Sequence, residues 1–114
     1  MSFENTVILI TDYGMGRGEP ALQQTLIAKY LELLHQNGKF PAAICLYSEG
    51  VKLAASGSPV INQLKRLEEK GVRLILCAVC LTYYGLTDKI EVGIIGGMTD
   101  IIEAQVRADK VITI

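Results

Sequence analysis

Residues 6–38, TVILITDYGMGRGEPALQQTLIAKYLELLHQNG, decide the fold. The run 6–11 is short, apolar and rich in β-branched residues, which is typical of a strand buried on both faces. Residues 12–19 form a glycine-rich loop, and Pro20 suits the first position of a helix. Apolar residues then recur at helical spacing until Gly38, which favours the end of a helix. The stretch therefore predicts a strand–loop–helix unit.

The rest of the chain repeats this alternation. Further strand patterns occupy 42–47, 72–76, 92–95 and 111–114, and helical patterns follow Ser58 as N-cap and Thr99. Short strands alternating with helices imply right-handed βαβ units. We predict a three-layer α/β fold, in which a mostly parallel sheet of about five strands carries helices on both faces. We find no internal repeat or linker, so residues 1–114 are expected to form a single domain.

The composition excludes several classes of protein. The 114 residues are 50% hydrophobic, and 11 basic against 12 acidic residues leave a net charge of −1. No basic stripe is present to hold a phosphate backbone, so nucleic acid is not an expected partner. The longest apolar run, residues 74–81, is far too short to span a membrane. The first residues lack the basic region of a signal peptide, so we expect a cytoplasmic protein.

The predicted topology also locates a site. In an open parallel sheet, ligands meet the loops at the carboxyl ends of the strands. Four loops are expected at that edge: residues 12–19, 48–50, 77–84 and 96–98. The glycine-rich loop and the CAVC motif should therefore share one edge of the sheet.

Cys77 and Cys80 form the CAVC motif directly after a predicted buried strand. If Ala78 begins a helical turn, the free N–H groups of that turn favour a thiolate at Cys77. The spacing also lets the second sulfur reach the first, so that it can resolve an adduct or close a disulfide. The alternative is that both are small buried hydrophobic residues. Cys45 lies within a strand pattern and is expected in the core.

The cysteine count favours thiol chemistry over metal binding. Three cysteines in a chain with no export signal do not indicate a disulfide framework. A zinc site needs four ligands, whereas the chain offers one CxxC and a single histidine, His35. We predict no metal site within one chain and no organic cofactor. A zinc site built from two CxxC pairs that meet across a subunit interface remains the alternative.

The glycine-rich loop resembles a phosphate-binding loop only in part. Gly14 and Gly16 match the first two glycines of the dinucleotide fingerprint, but Glu19 stands at the third position. The loop also lacks the Gly-Lys-Ser/Thr ending of a Walker motif. A tight connection from strand to helix is the preferred interpretation. A small oxyanion near Arg17 stays open as an alternative.

Other residues at the same edge are candidates for lining the site. Glu49 has the position of a ribose-binding acid, although its place at the start of a helix explains it equally well. Tyr83 and Tyr84 are expected either to wall a pocket or to pack between subunits. Met15 and Met98 lie on facing loops, where a methionine is most often a gap filler, and Tyr13 is a further candidate for lining the site.

Four motifs carry a resemblance to a known family: ILITDYGMGRGE, YSEGVKLAASGSPV, LEEKGVRLILCAVCLTYYGL and ADKVITI. Together they make the chain similar to the DsrE/DsrF-like family of small sulfur-relay proteins over nearly its whole length. The CxxCLxYYGL stretch most resembles the DsrE-like C-terminal domain of YedF-type proteins, which are assigned to selenium metabolism.

The resemblance implies roles for the two cysteines. Family members that carry sulfur use a cysteine at the end of the third strand, eight residues before a glycine. Cys77 and Gly85 have this relation, so the resemblance makes Cys77 the sulfur acceptor. Cys80 stands where the better-studied carriers have a small apolar residue, which favours a dithiol variation with Cys80 as the resolving thiol. The resemblance also implies homo-oligomers, commonly dimers, trimers or hexamers, and sulfur donor and acceptor proteins as partners.

The sequence therefore predicts a cytoplasmic sulfur-handling protein, similar to a sulfurtransferase, that accepts sulfane sulfur or selenium at Cys77. One alternative is a thiol–disulfide oxidoreductase that uses the same pair. Against it, thioredoxin-like sites depend on a proline that packs opposite the cysteines, and Pro20, Pro41 and Pro59 are all remote from CAVC in sequence. The other alternative is a non-catalytic oligomeric module whose 77–84 segment is an interface.

Overall fold

The computed structural model of the chain describes residues 3–114. Strands and helices alternate along these residues, as the sequence predicts. The strands are β1 (Thr6–Ile10), β2 (Ala43–Leu46), β3 (Arg73–Cys77), β4 (Ile94–Gly96) and β5 (Lys110–Thr113). The helices are α1 (Pro20–Gln36), α2 (Ile61–Glu69), α3 (Ala78–Tyr84) and α4 (Met98–Arg107), with a 3-10 helix over Ser48–Ala54.

The five strands form one parallel sheet in the order β4-β3-β2-β1-β5. Helices α1 and α2 pack on each other, and α3 joins them through the 3-10 helix, whereas α4 packs against β3 and β4. Because successive parallel crossovers are right-handed, the return from β4 to β5 places α4 on the opposite face. The predicted three-layer α/β fold is confirmed.

The three central strands are apolar because both faces of the sheet are covered. Every residue of β1 and β2 is buried, and so is every residue of β3 after Arg73. Each fully buried leucine or isoleucine contributes about 1.5–3 kcal/mol to folding. The edge strand β4 differs, since Ile94 and Ile95 are about half exposed.

β4 begins at Ile94, two residues later than predicted, and two further boundaries differ for local reasons. Ser58 does accept a hydrogen bond, but from the N–H of Val60 at 3.1 Å, and α2 begins only at Ile61. The hydroxyl therefore closes a short turn before the helix instead of capping it. The 3-10 helix begins at Ser48, directly after β2, where the sequence predicts only a turn over 51–55.

The two strands β3 and β4 are neighbours whose following helices lie on opposite faces of the sheet. Their carboxyl ends meet at Cys77 and Gly96, which are partners in the register. A crevice at such a reversal is where open α/β sheets bind ligands. The topology thus places the first cysteine of CAVC beside the crevice. No helix among residues 3–114 is long and apolar enough to cross a membrane.

Candidate thiol site

The CAVC motif spans the junction between β3 and α3. Cys77 is the last residue of β3 and the N-cap of α3, with extended backbone, so Ala78 does begin a helix. Leu81 on the inner side of α3 is fully buried. The helix ends at Gly85, whose φ of 66° lies in the left-handed region that glycine tolerates.

The three cysteines differ in exposure. Cys77 is 1% exposed, whereas Cys80, one turn further along, is partly exposed. Cys45 is fully buried in β2, and burial raises the pKa of its thiol to about 11. Cys45 is therefore a core residue, as its place in the strand pattern predicts. All three cysteines are free.

Cys80 contacts two groups that act on its proton in opposite directions. Burial raises the pKa of Cys80 most, and a hydrogen bond with the Cys77 thiol raises it further. The N–H of Ser48 donates to Cys80 Sγ at 3.1 Å and lowers the pKa of Cys80. The two thiols are thus neighbours, and the Cys77 thiol acts on Cys80 against the Ser48 N–H.

Ser48 has a backbone conformation that is rare for its residue type. Its φ of 54° makes it the sole non-glycine residue with positive φ among residues 3–114. Such a conformation costs on the order of 1–3 kcal/mol and persists only where the surroundings hold it. It aims the Ser48 N–H at the Cys80 sulfur.

A polar network lies beside the two cysteines. The Tyr84 hydroxyl donates to Glu49 Oε2 at 2.6 Å, and Lys52 Nζ donates to Glu49 Oε1 at 2.8 Å. Lys52 also lies 4.4 Å from the centre of the Tyr84 ring. The bonds to Lys52 and then to Tyr84 lower the pKa of Glu49, and the bond to Glu49 raises the pKa of Tyr84 to about 12. Glu49 is therefore a carboxylate and Tyr84 a neutral phenol.

The outer face of α3 is apolar and open. Val79 is 73% exposed and Tyr83 is 82% exposed, one turn apart. With Ala78 and Thr82 they line a shallow groove of about 430 Å³. The Tyr83 ring contacts Tyr84 edge-on, with ring centres 5.2 Å apart.

The glycine-rich loop is a connection whose polar groups bind each other. Gln23 Nε2 on α1 donates to Asp12 Oδ2 at 3.0 Å and to the Gly16 carbonyl at 2.6 Å. The N–H of Tyr13 donates to Asp12 Oδ1 at 2.8 Å. A Cβ on Gly14 would lie 2.4 Å from the Gln23 side chain, so only glycine fits there. The interpretation as a strand-to-helix connection agrees with this geometry.

The remaining candidates stand apart from the thiols. Arg17 is exposed, and no hydrogen bond or ion pair of its side chain is seen with residues 3–114. Met98 begins α4 and is 51% exposed, and the N-terminus of α4 is occupied by Asp100, which accepts the Gly97 N–H at 2.8 Å. Within the described part of the chain, no group of three or more His, Cys, Asp or Glu residues could hold a metal ion.

The structure thus brings together four of the predicted residues, Cys77, Cys80, Glu49 and Tyr84. Ser48 and Lys52 are not among the predicted residues, although both contact the site. Lys52 follows Glu49 at helical spacing, a signal for an ion pair that could have found it. No sequence signal indicates that the Ser48 backbone donates to a sulfur 32 residues away.

Comparisons with known proteins give a family and a fold. Residues 5–114 match the DsrE/DsrF-like family. No curated protein matches the chain.

Three solved structures share the fold. MTH1491, a protein of unknown function from Methanobacterium thermoautotrophicum, has a TM-score of 0.71 at 19% identity and covers 97% of this chain and 99% of its own. The ychN protein from E. coli has a TM-score of 0.69 at 21% identity, with 96% and 99% coverage. BT1422, of unknown function, from Bacteroides thetaiotaomicron, has a TM-score of 0.65 at 16% identity, with 96% and 95% coverage.

Proposed function

The chain belongs to the DsrE/DsrF-like family, and from that premise we propose that it is a dithiol sulfur carrier. Cys77 accepts sulfane sulfur, and Cys80 is the resolving thiol. The observation that carries the proposal is the place of Cys77 at the carboxyl end of β3 and the N-cap of α3, with Cys80 one turn further along α3. Mass spectrometry after incubation with a persulfide donor tests it.

Loading is a thiol exchange that needs no metal and no organic cofactor. The Cys77 thiolate attacks the outer sulfur of a donor persulfide, R–S–SH, and the donor S–S bond breaks. The donor leaves as a thiolate and takes up a proton, and Cys77 becomes Cys77–S–SH. In this proposal the Cys80 thiol donates to the Cys77 sulfur and stabilises the attacking thiolate. Chemically, a selenium-containing donor follows the same route.

Access to the pair is from the Cys80 side. Cys77 is 1% exposed, whereas Cys80 is partly exposed and lies one turn further along α3. A donor therefore reaches the Cys77 sulfur when Cys80 moves aside. We propose that this arrangement keeps the loaded sulfur away from water and small thiols, which is useful in a carrier.

Sulfur leaves Cys77 by one of two routes. In the first, an acceptor thiolate attacks the outer sulfur and regenerates the Cys77 thiolate. In the second, the Cys80 thiolate attacks Cys77 Sγ, hydrosulfide departs and a Cys77–Cys80 disulfide forms. A dithiol reductant then reopens that disulfide.

We expect Cys80→Ser to load sulfur and to release it slowly, because serine leaves Cys77 in place and removes the second route. Release of hydrosulfide is expected to fall by about tenfold or more, since a hydroxyl is a far weaker nucleophile toward sulfur than a thiolate. The measurement is hydrosulfide formed per loaded chain over time, with Cys45→Ala as the matched control. Release at the wild-type rate would show that Cys80 is not the resolving thiol.

A thiol–disulfide oxidoreductase is the second candidate function, and the contact between the two thiols favours it equally. The two functions differ in the mass of the product. In Cys80→Ser, which cannot form the Cys77–Cys80 disulfide, a carrier gains one sulfur atom from a persulfide donor, whereas an oxidoreductase gains none.

We further propose that the chain works as a homo-oligomer, as proteins of this family often do. Met98, Ile102 and Val106 form an exposed apolar stripe on α4. Ile94 and Ile95 add an apolar edge at β4. Exposed apolar surfaces of this kind typically mark interfaces between proteins.

Light scattering at micromolar concentration is expected to report a dimer, trimer or hexamer. Ile102→Glu is expected to lower that mass, because a carboxylate in the stripe opposes its burial. Asn62→Glu, on an exposed polar position of α2, is the matched control and should keep the wild-type mass. A monomer in the wild-type protein contradicts the proposal.

The proposal also covers the location and the domain organisation of the chain. We propose a cytoplasmic location, because the cytoplasm keeps thiols reduced. We propose a single domain over residues 1–114, which fits the one five-stranded sheet. The similarity to YedF-type proteins, and with it a role in selenium metabolism, depends on the CxxCLxYYGL motif and stays a prediction.

A further inference from the structure

We propose that Tyr84 and Glu49 are positioning residues for the release step. Their hydrogen bond holds the 3-10 helix against α3, so that the Ser48 N–H stays on the Cys80 sulfur and stabilises its thiolate. The inference rests on the proposed function, in which Cys80 is the resolving thiol.

The first support is the geometry at Cys80. The Ser48 N atom lies 3.1 Å from Cys80 Sγ and donates to it. Ser48 has a φ of 54°, a backbone conformation that is unfavourable for serine. A backbone held in this way needs restraint on both sides. On one side Gly50 packs so closely that a Cβ there would lie 2.2 Å from the Ile10 carbonyl oxygen. The 3-10 helix is therefore pressed against the end of β1.

The restraint on the other side is the bond between Tyr84 and Glu49. It joins residues 35 apart in sequence and links the last residue of α3 to the second residue of the 3-10 helix. Lys52 holds the second oxygen of Glu49, so the carboxylate is fixed at both ends. Since Ser48 directly precedes Glu49, holding Glu49 on α3 also holds the Ser48 N–H near Cys80.

The second support is the chemistry of release. Cys80 must lose its proton before it can attack Cys77 Sγ, break the bond to the outer sulfur and displace hydrosulfide. Burial and then the Cys77 thiol oppose this loss, whereas the Ser48 N–H favours it. Tyr84 is close enough for a charge on Cys80 to raise the pKa of its phenol. If the Ser48 N–H moves away from Cys80, the pKa of Cys80 rises and a smaller fraction of Cys80 is present as the resolving thiolate.

The test is Tyr84→Phe, which keeps the ring and removes only the hydroxyl. Tyr83→Phe is the matched control, because it removes a hydroxyl from the exposed neighbour. Both are made in a Cys45→Ala, Cys77→Ser background, so that Cys80 is the reporting thiol. The rate of alkylation by iodoacetamide is measured against pH.

We expect the inflection of Tyr84→Phe to move upward by about half a pH unit or more, which is about a threefold slower reaction at any pH below it. The inflection of Tyr83→Phe should match its parent. An unchanged inflection in Tyr84→Phe overturns the proposal. Amide exchange at Ser48, measured by NMR, gives a second readout and should be faster in Tyr84→Phe; an unchanged rate also overturns it.

The alkylation test needs no persulfide, so its outcome is separate from that of the proposed function. With Cys77 present, Tyr84→Phe is expected to load sulfur to the wild-type level and to release hydrosulfide about threefold more slowly. Release at the wild-type rate would contradict the role in release. Absence of loading in Cys80→Ser would instead contradict the carrier function.

Discussion

Cys77→Ser is expected to abolish sulfur loading. Loading requires a thiolate that attacks sulfur, and a serine hydroxyl stays protonated near neutral pH and forms no stable persulfide. The substitution is also nearly isosteric in a buried position, so the fold should survive it. The expected result is loading at the background level, measured by intact-mass spectrometry after incubation with a persulfide donor.

The matched control for this prediction is Cys45→Ala. Cys45 is fully buried in β2, and its thiol, with a pKa of about 11, is protonated at neutral pH. Removing it should leave loading intact. If Cys77→Ser loads as much sulfur as the wild-type protein, Cys77 is not the acceptor. Loss of loading in Cys45→Ala would contradict the assignment of that cysteine to the core.

Gly50→Ala is expected to destabilise the protein strongly. A Cβ at this position would lie 2.2 Å from the Ile10 carbonyl oxygen and 2.9 Å from its carbon, both backbone atoms that cannot turn aside. Either β1 or the 3-10 helix must shift, which we expect to lower the free energy of unfolding by about 3 kcal/mol. Urea denaturation followed by circular dichroism measures this loss.

Gly18→Ala provides the control for that experiment. Its added Cβ meets no atom closer than 4.0 Å, and it lies in the exposed part of the glycine-rich loop. We expect a change within about 0.5 kcal/mol, as for surface positions in general. Equal midpoints for Gly50→Ala and the wild-type protein would show that the 3-10 helix is not pressed against β1.

The fold could be predicted from the sequence because its signals are local. The central strands are continuous apolar runs, and Pro20 and Gly38 bracket α1 closely. Handedness then leaves few arrangements of the strands. The start of α2 was misjudged because Ser58 bonds a backbone N–H two residues on, and the sequence does not distinguish that turn from a helix cap.

The site was only partly predictable, because its decisive contacts are long-range. The position of Cys77 at the end of a strand and its spacing to Cys80 are visible in the sequence. The Ser48 N–H on Cys80 depends on a backbone angle of a residue type that seldom adopts it. The bond from Tyr84 to Glu49 is a third use, besides the two that the sequence left open for Tyr84. It ties α3 to the 3-10 helix beside the thiols.

The central claim is that this chain carries sulfane sulfur on Cys77, and one measurement tests it most directly. The reduced Cys80→Ser protein, in which sulfur cannot leave by attack of Cys80 on Cys77, is incubated with a small-molecule persulfide, and its intact mass is recorded before and after treatment with a dithiol reductant. The account predicts a gain of one sulfur atom per chain, located on the peptide that contains Cys77 and removed by the reductant. An unchanged mass would contradict it.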